Sequence, residues 1–155
     1  MSQLLSHTER LIRYIGNGKN VDVIYLDFSK AFDRVDHTIL LNKIQNNGIT
    51  GKLLAWIKWF LTGRTQQVSV DYTLSEMPEV ISGVPQGSVL GPLLFLIMIQ
   101  DIDTRILHSF LSSFADDTRL MKDISNIIDI QQLQEDLNTV YQWTCLLYTS
   151  DAADE

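Results

Sequence analysis

The sequence predicts an α+β fold, and two observations carry the prediction. Segments with helical spacing of apolar residues and segments rich in β-branched and aromatic residues both occur along the 155-residue chain. They do not follow the regular strand–helix–strand alternation that a parallel sheet requires. Because 45% of the residues are apolar and 20% are charged, the chain can form one domain with a core.

Helices are predicted at 3–15, 38–47, from the capping residue Thr50 to Gly63, at 89–102 as a buried helix, and at 127–143 as an amphipathic one. The first strand, Val21–Phe28, reads VDVIYLDF and is predicted to be largely buried. A hairpin-like excursion is predicted with strands at 67–70 and 79–81. Two further strands are predicted within 109–121, joined by a tight turn at Asp116 and Asp117.

The composition limits the classes of function. A formal charge of −7 argues against a chain that binds nucleic acid through clustered basic residues. The single cysteine, Cys145, cannot form an intramolecular disulfide, which favours an intracellular location, nuclear or cytoplasmic. The longest apolar run, 89–99, is too short to span a bilayer and contains Gly91 and Pro92, so no membrane association is predicted.

Carboxylates stand at the ends of two predicted strands. Asp27 ends an apolar strand, where burial of a carboxylate is costly unless a cation or hydrogen-bond donors compensate. Asp116 and Asp117 are adjacent at the tip of an apolar hairpin, where like charges repel. Each segment alone also fits a purely structural turn, since Asp side chains cap turns and tolerate left-handed backbone. Together they offer the oxygen ligands that Mg²⁺ shares with water and phosphates in phosphoryl transfer.

A third segment, residues 82–92, reads SGVPQGSVLGP. Its glycines allow a ligand to approach the backbone closely, and Gln86 can hydrogen-bond a nucleotide or a template. The segment also fits a rigid loop capped by Ser88.

The order LDFSKAFD, SGVPQGSVLGP and FADDT resembles motifs A, B and C of reverse transcriptases, most closely those of non-LTR (LINE-like) retrotransposons. The resemblance implies a polymerase palm-like antiparallel sheet with packed helices and an RNA-directed DNA polymerase. Its implied partners are an RNA template, a DNA primer and deoxynucleoside triphosphates. Residues 1–144 would form a partial reverse transcriptase domain, the palm with part of the fingers, while the rest of the fingers, motif D and the thumb are expected to be missing.

The resemblance also assigns roles by position. It implies that Asp27, Asp116 and Asp117 are catalytic, and that two Mg²⁺ ions, with Mn²⁺ as the alternative, are bound by Asp27, Asp116 and the backbone carbonyl of Phe28. It implies that Phe32 lies under the incoming sugar and excludes a 2′-hydroxyl.

The same resemblance implies that Gln86 and Gly87 contact the nucleotide and the template. Arg64 either touches nucleic acid or is solvated, and Gln86 is preferred over it as a substrate residue.

Other conspicuous residues have simpler interpretations. Trp56 and Trp59 are predicted to be core or interdomain residues rather than base-stacking platforms. His37 is predicted to begin a helix, and Glu135 and Asp136 to form a solvated helix face. Residues 145–155 resemble the translation of a sequencing adapter and are expected not to be native; a disordered acidic tail is the alternative.

Two alternative functions remain at this point. One is a non-catalytic nucleic-acid-binding or scaffold remnant of a retrotransposon, which would keep the fold without metals. The other is a different palm-type enzyme such as a nucleotide cyclase, which would share the carboxylates but has no need of the Pro-Gln-Gly-Ser loop. The isolated fragment is expected not to extend a primer.

Overall fold

A computed structural model describes residues 3–114 and 116–148. Two compact units are found within them: a sheet unit of residues 3–29 and 99–148, and a loop unit of residues 30–98. The helices are α1 (Gln3–Gly16), α2 (His37–Asn46), α3 (Gly51–Leu61), α4 (Leu90–Ile99) and α5 (Ile127–Tyr148). The strands are β1 (Asn20–Asp27), β2 (Ser69–Val70), β3 (Thr73–Leu74), β4 (Phe110–Phe114) and β5 (Asp117–Ile124). The predicted α+β class is confirmed, and the sheets are antiparallel.

The sheet unit contains a three-stranded sheet in the order β1-β5-β4. Leu120 and Met121 on the central strand β5 are almost fully buried. Helix α1 lies over the face that carries Phe110 and Ser112: the Arg10 guanidinium is 4.2 Å from the Phe110 ring centroid, and the His7 imidazole lies 3.3 Å from the Ser112 hydroxyl.

The prediction that the first strand is largely buried is wrong. Exposed and half-buried residues make up β1, and the Tyr25 side chain is 70% exposed. Among the described strands, β1 pairs with β5 alone and lies at the edge of the sheet. Because β-branched and aromatic residues are favoured in edge and central strands alike, the composition of VDVIYLDF could not distinguish the two.

Helix α5 belongs to the sheet unit and packs against β5. The Trp143 ring on α5 lies 6.2 Å from the Phe28 ring just after β1. Glu135 is exposed as predicted, but the prediction that Asp136 is solvated is wrong, because its side chain is only 2% exposed. Its two carboxylate oxygens accept hydrogen bonds from the backbone N–H groups of Leu107 and His108, at 3.1 and 3.0 Å. These two donors compensate for the burial of the charge.

The loop unit has a helical core. Leu40 and Ile44 of α2 and Ile57 and Leu61 of α3 are buried, and α2 packs on α3. His37 begins α2 as predicted. Thr50 lies at the predicted cap position of α3, although its side chain makes no capping hydrogen bond.

Three boundaries differ from the predictions. The hairpin is formed by β2 and β3 around Asp71 and Tyr72, both with positive φ, while Glu79 forms only an isolated bridge with Thr65 instead of a strand. Helix α4 ends at Ile99, and a 3₁₀ helix follows at Gln100–Arg105. Helix α5 continues past Trp143 to Tyr148. Residues 149–155 of the proposed adapter segment lie outside the described residues.

Trp56 and Trp59 are not core residues, since their side chains are 47% and 73% exposed.

Among the described helices, none combines the length and the apolarity needed to cross a bilayer.

Candidate functional site

Three carboxylates lie at one end of the three-stranded sheet. Asp27 is the last residue of β1 and Asp117 the first of β5, and the two are directly opposite each other in the antiparallel register. Side chains at directly opposite positions share a face of the sheet, so these two carboxylates point to the same side. Asp116 precedes Asp117 in the turn between β4 and β5. The structure therefore brings together the three acidic residues that the sequence singled out.

Negative charge is concentrated at this sheet end. Asp27 and Asp117 are exposed and Asp116 is half-buried. Within the described residues, none of the three side chains forms a hydrogen bond or an ion pair. Like charges placed directly opposite in a sheet destabilise it, so a cation bound here would be favoured.

The donor chemistry fits a hard divalent cation. Carboxylate and carbonyl oxygens are the ligands of Mg²⁺, which is usually held by only one or two protein carboxylates and completes its shell with water and substrate phosphates. In the described part of the chain, no cluster of three His, Cys, Asp or Glu side chains is arranged to hold a metal. The metal site that the sequence predicts, formed by Asp27 and Asp116 with the carbonyl of Phe28, stays a prediction.

Phe28 is fixed beside these carboxylates by its contact with Trp143. A cavity of about 400 Å³ opens next to it, lined by the end of β1 and by α5 residues that include Val140 and Tyr141. The packing of Phe28 restrains the backbone immediately after Asp27.

The other predicted site residues, Phe32, Gln86 and Gly87, belong to the loop unit. There, four hydrogen bonds join the loop at 82–87 to the segment 32–35. The backbone N–H groups of Gly83 and Val84 donate to the carbonyls of Val35 and Phe32, at 2.8 and 2.9 Å. The hydroxyl of Ser82 donates to the carbonyl of Asp33, at 2.8 Å.

The fourth hydrogen bond runs from the Gln86 side-chain amide to the Asp33 carboxylate, at 2.8 Å. An ionised carboxylate only accepts hydrogen bonds, so the NH₂ group of Gln86 must face Asp33. Gln86, the predicted substrate residue, is exposed. Its hydrogen bond to Asp33 holds the side chain in one orientation.

Gly83 lies where the loop packs most closely against the backbone of Asp33. Its φ is +84°, and a Cβ atom would lie 2.7 Å from the carbonyl oxygen of Asp33. Its own carbonyl accepts hydrogen bonds from His37 Nε2 at 2.8 Å and from the Arg64 guanidinium at 3.0 Å. Because a carbonyl can only accept, Nε2 of His37 carries a proton.

Arg64 is partly exposed and makes hydrogen bonds within the loop unit. It is half-buried and also donates to the carbonyl of Leu61 at 2.9 Å, and burial lowers the pKa of its guanidinium. Through these hydrogen bonds Arg64 stabilises the loop at 82–87. Sequence reasoning missed this role and that of Asp33, because residues that are 19 and 53 positions from their partners give no local signal.

Phe32 and Gly87 differ in their surroundings. The Phe32 ring stacks on Phe95 of α4, with 4.4 Å between centroids and 25° between planes. Gly87 is exposed, has a φ of +78°, and has open space where a Cβ would stand. Ser88 caps α4 as one of the sequence interpretations proposed, since its hydroxyl accepts from the N–H of Gly91 at 2.9 Å.

Comparison with known proteins identifies the family of this chain. Residues 5–145 match the family described as reverse transcriptase (RNA-dependent DNA polymerase). The chain is 36% identical over 127 residues to the RNA-directed DNA polymerase from mobile element jockey of Drosophila melanogaster, covering 77% of this chain and 14% of that protein.

Two other relatives from the same fly are similar. The probable RNA-directed DNA polymerase from transposon X-element is 34% identical over 121 residues, which cover 76% of this chain and 13% of the relative. The one from transposon BS is 31% identical over 148 residues, which cover 88% and 16%. This chain thus spans only a small part of these relatives. The family predicted from the three motifs, that of non-LTR retrotransposon enzymes, is confirmed, and the chain belongs to the reverse transcriptase (RNA-dependent DNA polymerase) family.

Proposed function

We propose that this chain is the palm-like part of an RNA-directed DNA polymerase, which adds deoxynucleotides to a DNA primer on an RNA template. The observation that carries the proposal is the convergence of Asp27, Asp116 and Asp117 at one end of an antiparallel sheet. The family match supports the same reaction. The intracellular location remains a prediction.

Asp27 and Asp116, with the carbonyl of Phe28, would hold two Mg²⁺ ions, or Mn²⁺ in their place. Bound there, a metal pair supplies activation of the primer hydroxyl and stabilisation of the leaving group in an in-line displacement. Asp117 adds negative charge to the same sheet end and shares a face with Asp27. The edge position of β1 leaves Asp27 open to solvent, where a triphosphate and its counter-ion can approach.

The loop unit supplies the residues that would recognise the substrate. Phe32 is fixed against Phe95, so its ring cannot easily move away from a bulky sugar substituent. This rigidity suits the exclusion of a ribose 2′-hydroxyl. Gln86, oriented by Asp33, would contact the nucleotide or the template, and the open surroundings of Gly87 allow close approach of a strand to the backbone.

A segment exchange tests the proposed activity. Residues 5–145 would replace the matching segment of the jockey polymerase, and primer extension on an RNA template would be measured. The exchanged enzyme should extend the primer, and Asp27→Asn or Asp116→Asn should abolish extension. Asp71→Asn serves as the matched control, since it removes an exposed carboxylate from the β2–β3 turn and Asn tolerates its positive φ.

Two results would contradict the proposal. One is extension that survives both aspartate substitutions. The other is an exchanged enzyme that is folded and binds primer–template as tightly as the parent, but does not extend; that result would favour the non-catalytic remnant.

A further inference from the structure

The exposed side of α3 combines aromatic and basic residues. Lys52, Trp56 and Trp59 follow one another at spacings of four and three, which places them on one face of the helix. The opposite face carries the buried residues Ile57 and Leu61. Trp56 and Trp59 are 47% and 73% exposed, so the aromatic rings lie at the surface instead of in the core.

The charge around this face is unlike the charge of the whole chain. Between residues 37 and 70 there is no Asp or Glu, whereas the full sequence contains 19 of them. Four basic residues lie in the same interval. Lys43 and Arg64 donate to backbone carbonyls.

Lys52 and Lys58 of α3 are exposed, and neither forms an ion pair in the described part of the chain. The α3 surface is therefore locally cationic on an acidic chain.

The aromatic part of this face is partly preorganised. The Trp56 ring stacks on Phe60, with 5.7 Å between centroids and 18° between planes. Phe60 is itself half-buried, so it restrains Trp56. A restrained aromatic ring loses little conformational entropy when a ligand stacks on its other side.

We propose that Lys52, Trp56 and Trp59, the aromatic–lysine face, bind single-stranded nucleic acid. Unpaired bases would stack on the two Trp rings and Lys52 would contact a flanking phosphate. The face offers no amide or carboxylate for reading base edges, so binding is independent of sequence. This interaction goes beyond the proposed polymerase activity and needs no metal.

Composition favours nucleic acid over a protein as the occupant. Protein–protein interfaces are enriched in Trp but depleted in Lys. Single-strand-binding surfaces combine the two, because every base has a face that can stack and every nucleotide carries a phosphate. A basic aromatic helix face on a chain of net charge −7 matches the second pattern.

Intrinsic fluorescence of the 155-residue chain reports on this face directly. Of the three Trp residues, Trp143 is only 3% exposed, so quenching by an added strand would come from Trp56 and Trp59. The probes are short oligo(U), short oligo(dT) and a duplex of equal length, each titrated at low and at physiological salt. We expect both single strands to quench and to bind more tightly than the duplex.

Variants separate the contributions. Trp59→Ala and Trp56→Ala should each weaken binding by on the order of 10-fold. Lys52→Gln should reduce the slope of log affinity against log salt by ~0.7, whereas Lys58→Gln removes a charge from another side of α3 and should reduce the slope less. Tyr72→Asn is the matched control, because it removes a fully exposed aromatic from a turn where Asn accepts the positive φ.

The outcomes are decisive in either direction. Binding that persists in Asp116→Asn and in EDTA, and is lost in the Trp variants, supports the proposal whether or not the chain is a polymerase. Three results would overturn it: equal affinity of the Trp variants and the parent, tighter binding of the duplex, or no binding of any strand. The last would assign the face to a protein contact.

Discussion

The loop at 82–87 and the acidic sheet end differ in how their polar groups are satisfied. The loop is joined to the segment 32–35 by four hydrogen bonds, and Gly83 accepts two more from His37 and Arg64. The carboxylates of Asp27, Asp116 and Asp117 make none within the described residues. The protein thus fixes one set of groups before any ligand arrives and leaves the other set to be neutralised by what binds.

The two units also differ in charge. Residues 30–98 carry six basic and five acidic residues, whereas residues 1–29 and 99–149 carry six and eleven. The negative charge is therefore concentrated in the unit that contains the proposed metal ligands. Substitutions in the loop should lower stability, while substitutions at the acidic sheet end should affect ligand binding more than stability.

The largest effect is expected from Gly83→Ala. The new Cβ would meet the backbone of Asp33 at 2.7 Å on a residue with positive φ, so we expect a loss of about 3 kcal/mol or more in unfolding free energy. Gly87→Ala is the control, because it has a similar φ but open space, and should cost only about 1–2 kcal/mol. Urea denaturation of the chain measures both. Equal losses would show that loop closure against Asp33 does not matter.

Arg64→Met should have the next largest effect. It removes the donors to the carbonyls of Gly83 and Leu61, and we expect a loss of about 2 kcal/mol. Arg13→Met removes only an exposed ion pair with Glu9 and should change stability by less than about 0.5 kcal/mol. Matching losses for the two variants would mean that Arg64 behaves as a surface residue.

The unfolding free energy is expected to depend on pH through His7 in the sheet unit. Burial, and next the charge of Arg119, lower the pKa of His7 below 6.5, so the folded protein keeps it neutral where the unfolded chain takes up a proton. Below pH 6.5 the unfolded state binds more protons, and stability should fall with decreasing pH by up to about 1.4 kcal/mol per pH unit.

Unfolding curves at several pH values test the assignment. His7→Gln should flatten this part of the profile. A profile that is the same in His7→Gln as in the parent would show that another group causes the slope.

The smallest effect on stability is expected at the acidic sheet end. Asp117→Asn removes the like charge opposite Asp27 and should raise the unfolding free energy by about 0.5 kcal/mol without metal. Thermal unfolding in EDTA measures the change. A loss of stability would mean that Asp117 has a structural partner and that the contrast with the loop does not hold.

The sequence predicted the positions of the helices and strands better than the burial and the contacts of their side chains. Helical spacing located all five helices, and the apolar strands around Asp27 and Asp116 were located to within a few residues. The tight turn at Asp71 and Tyr72 was not predicted, because positive φ is tolerated by Asp but is unusual for Tyr. This turn set the β2–β3 hairpin, and the predicted strand at 79–81 did not form.

Burial and long-range contacts were the features that the sequence predicted least well. Asp136 was predicted to be solvated because the periodicity of α5 cannot show that two backbone N–H groups near residue 107 lie over it. Trp56 and Trp59 look like core residues in any sequence, since only the packed structure shows which helix face is covered. The proposed site carboxylates were singled out because three motifs occurred in a known order, whereas the pairing of Asp27 with Asp117 is seen only in the register of β1 and β5.

Mn²⁺ binding to this chain, measured by electron paramagnetic resonance, tests the central claim most directly. The parent and Asp71→Asn should bind the ion alike, and Asp27→Asn and Asp116→Asn should each weaken binding by more than ~10-fold, since a lost ligand costs at least as much as a lost supporting residue. Equal binding by all four proteins, or no binding by the folded parent, would contradict the assignment of a metal site to the paired strand ends.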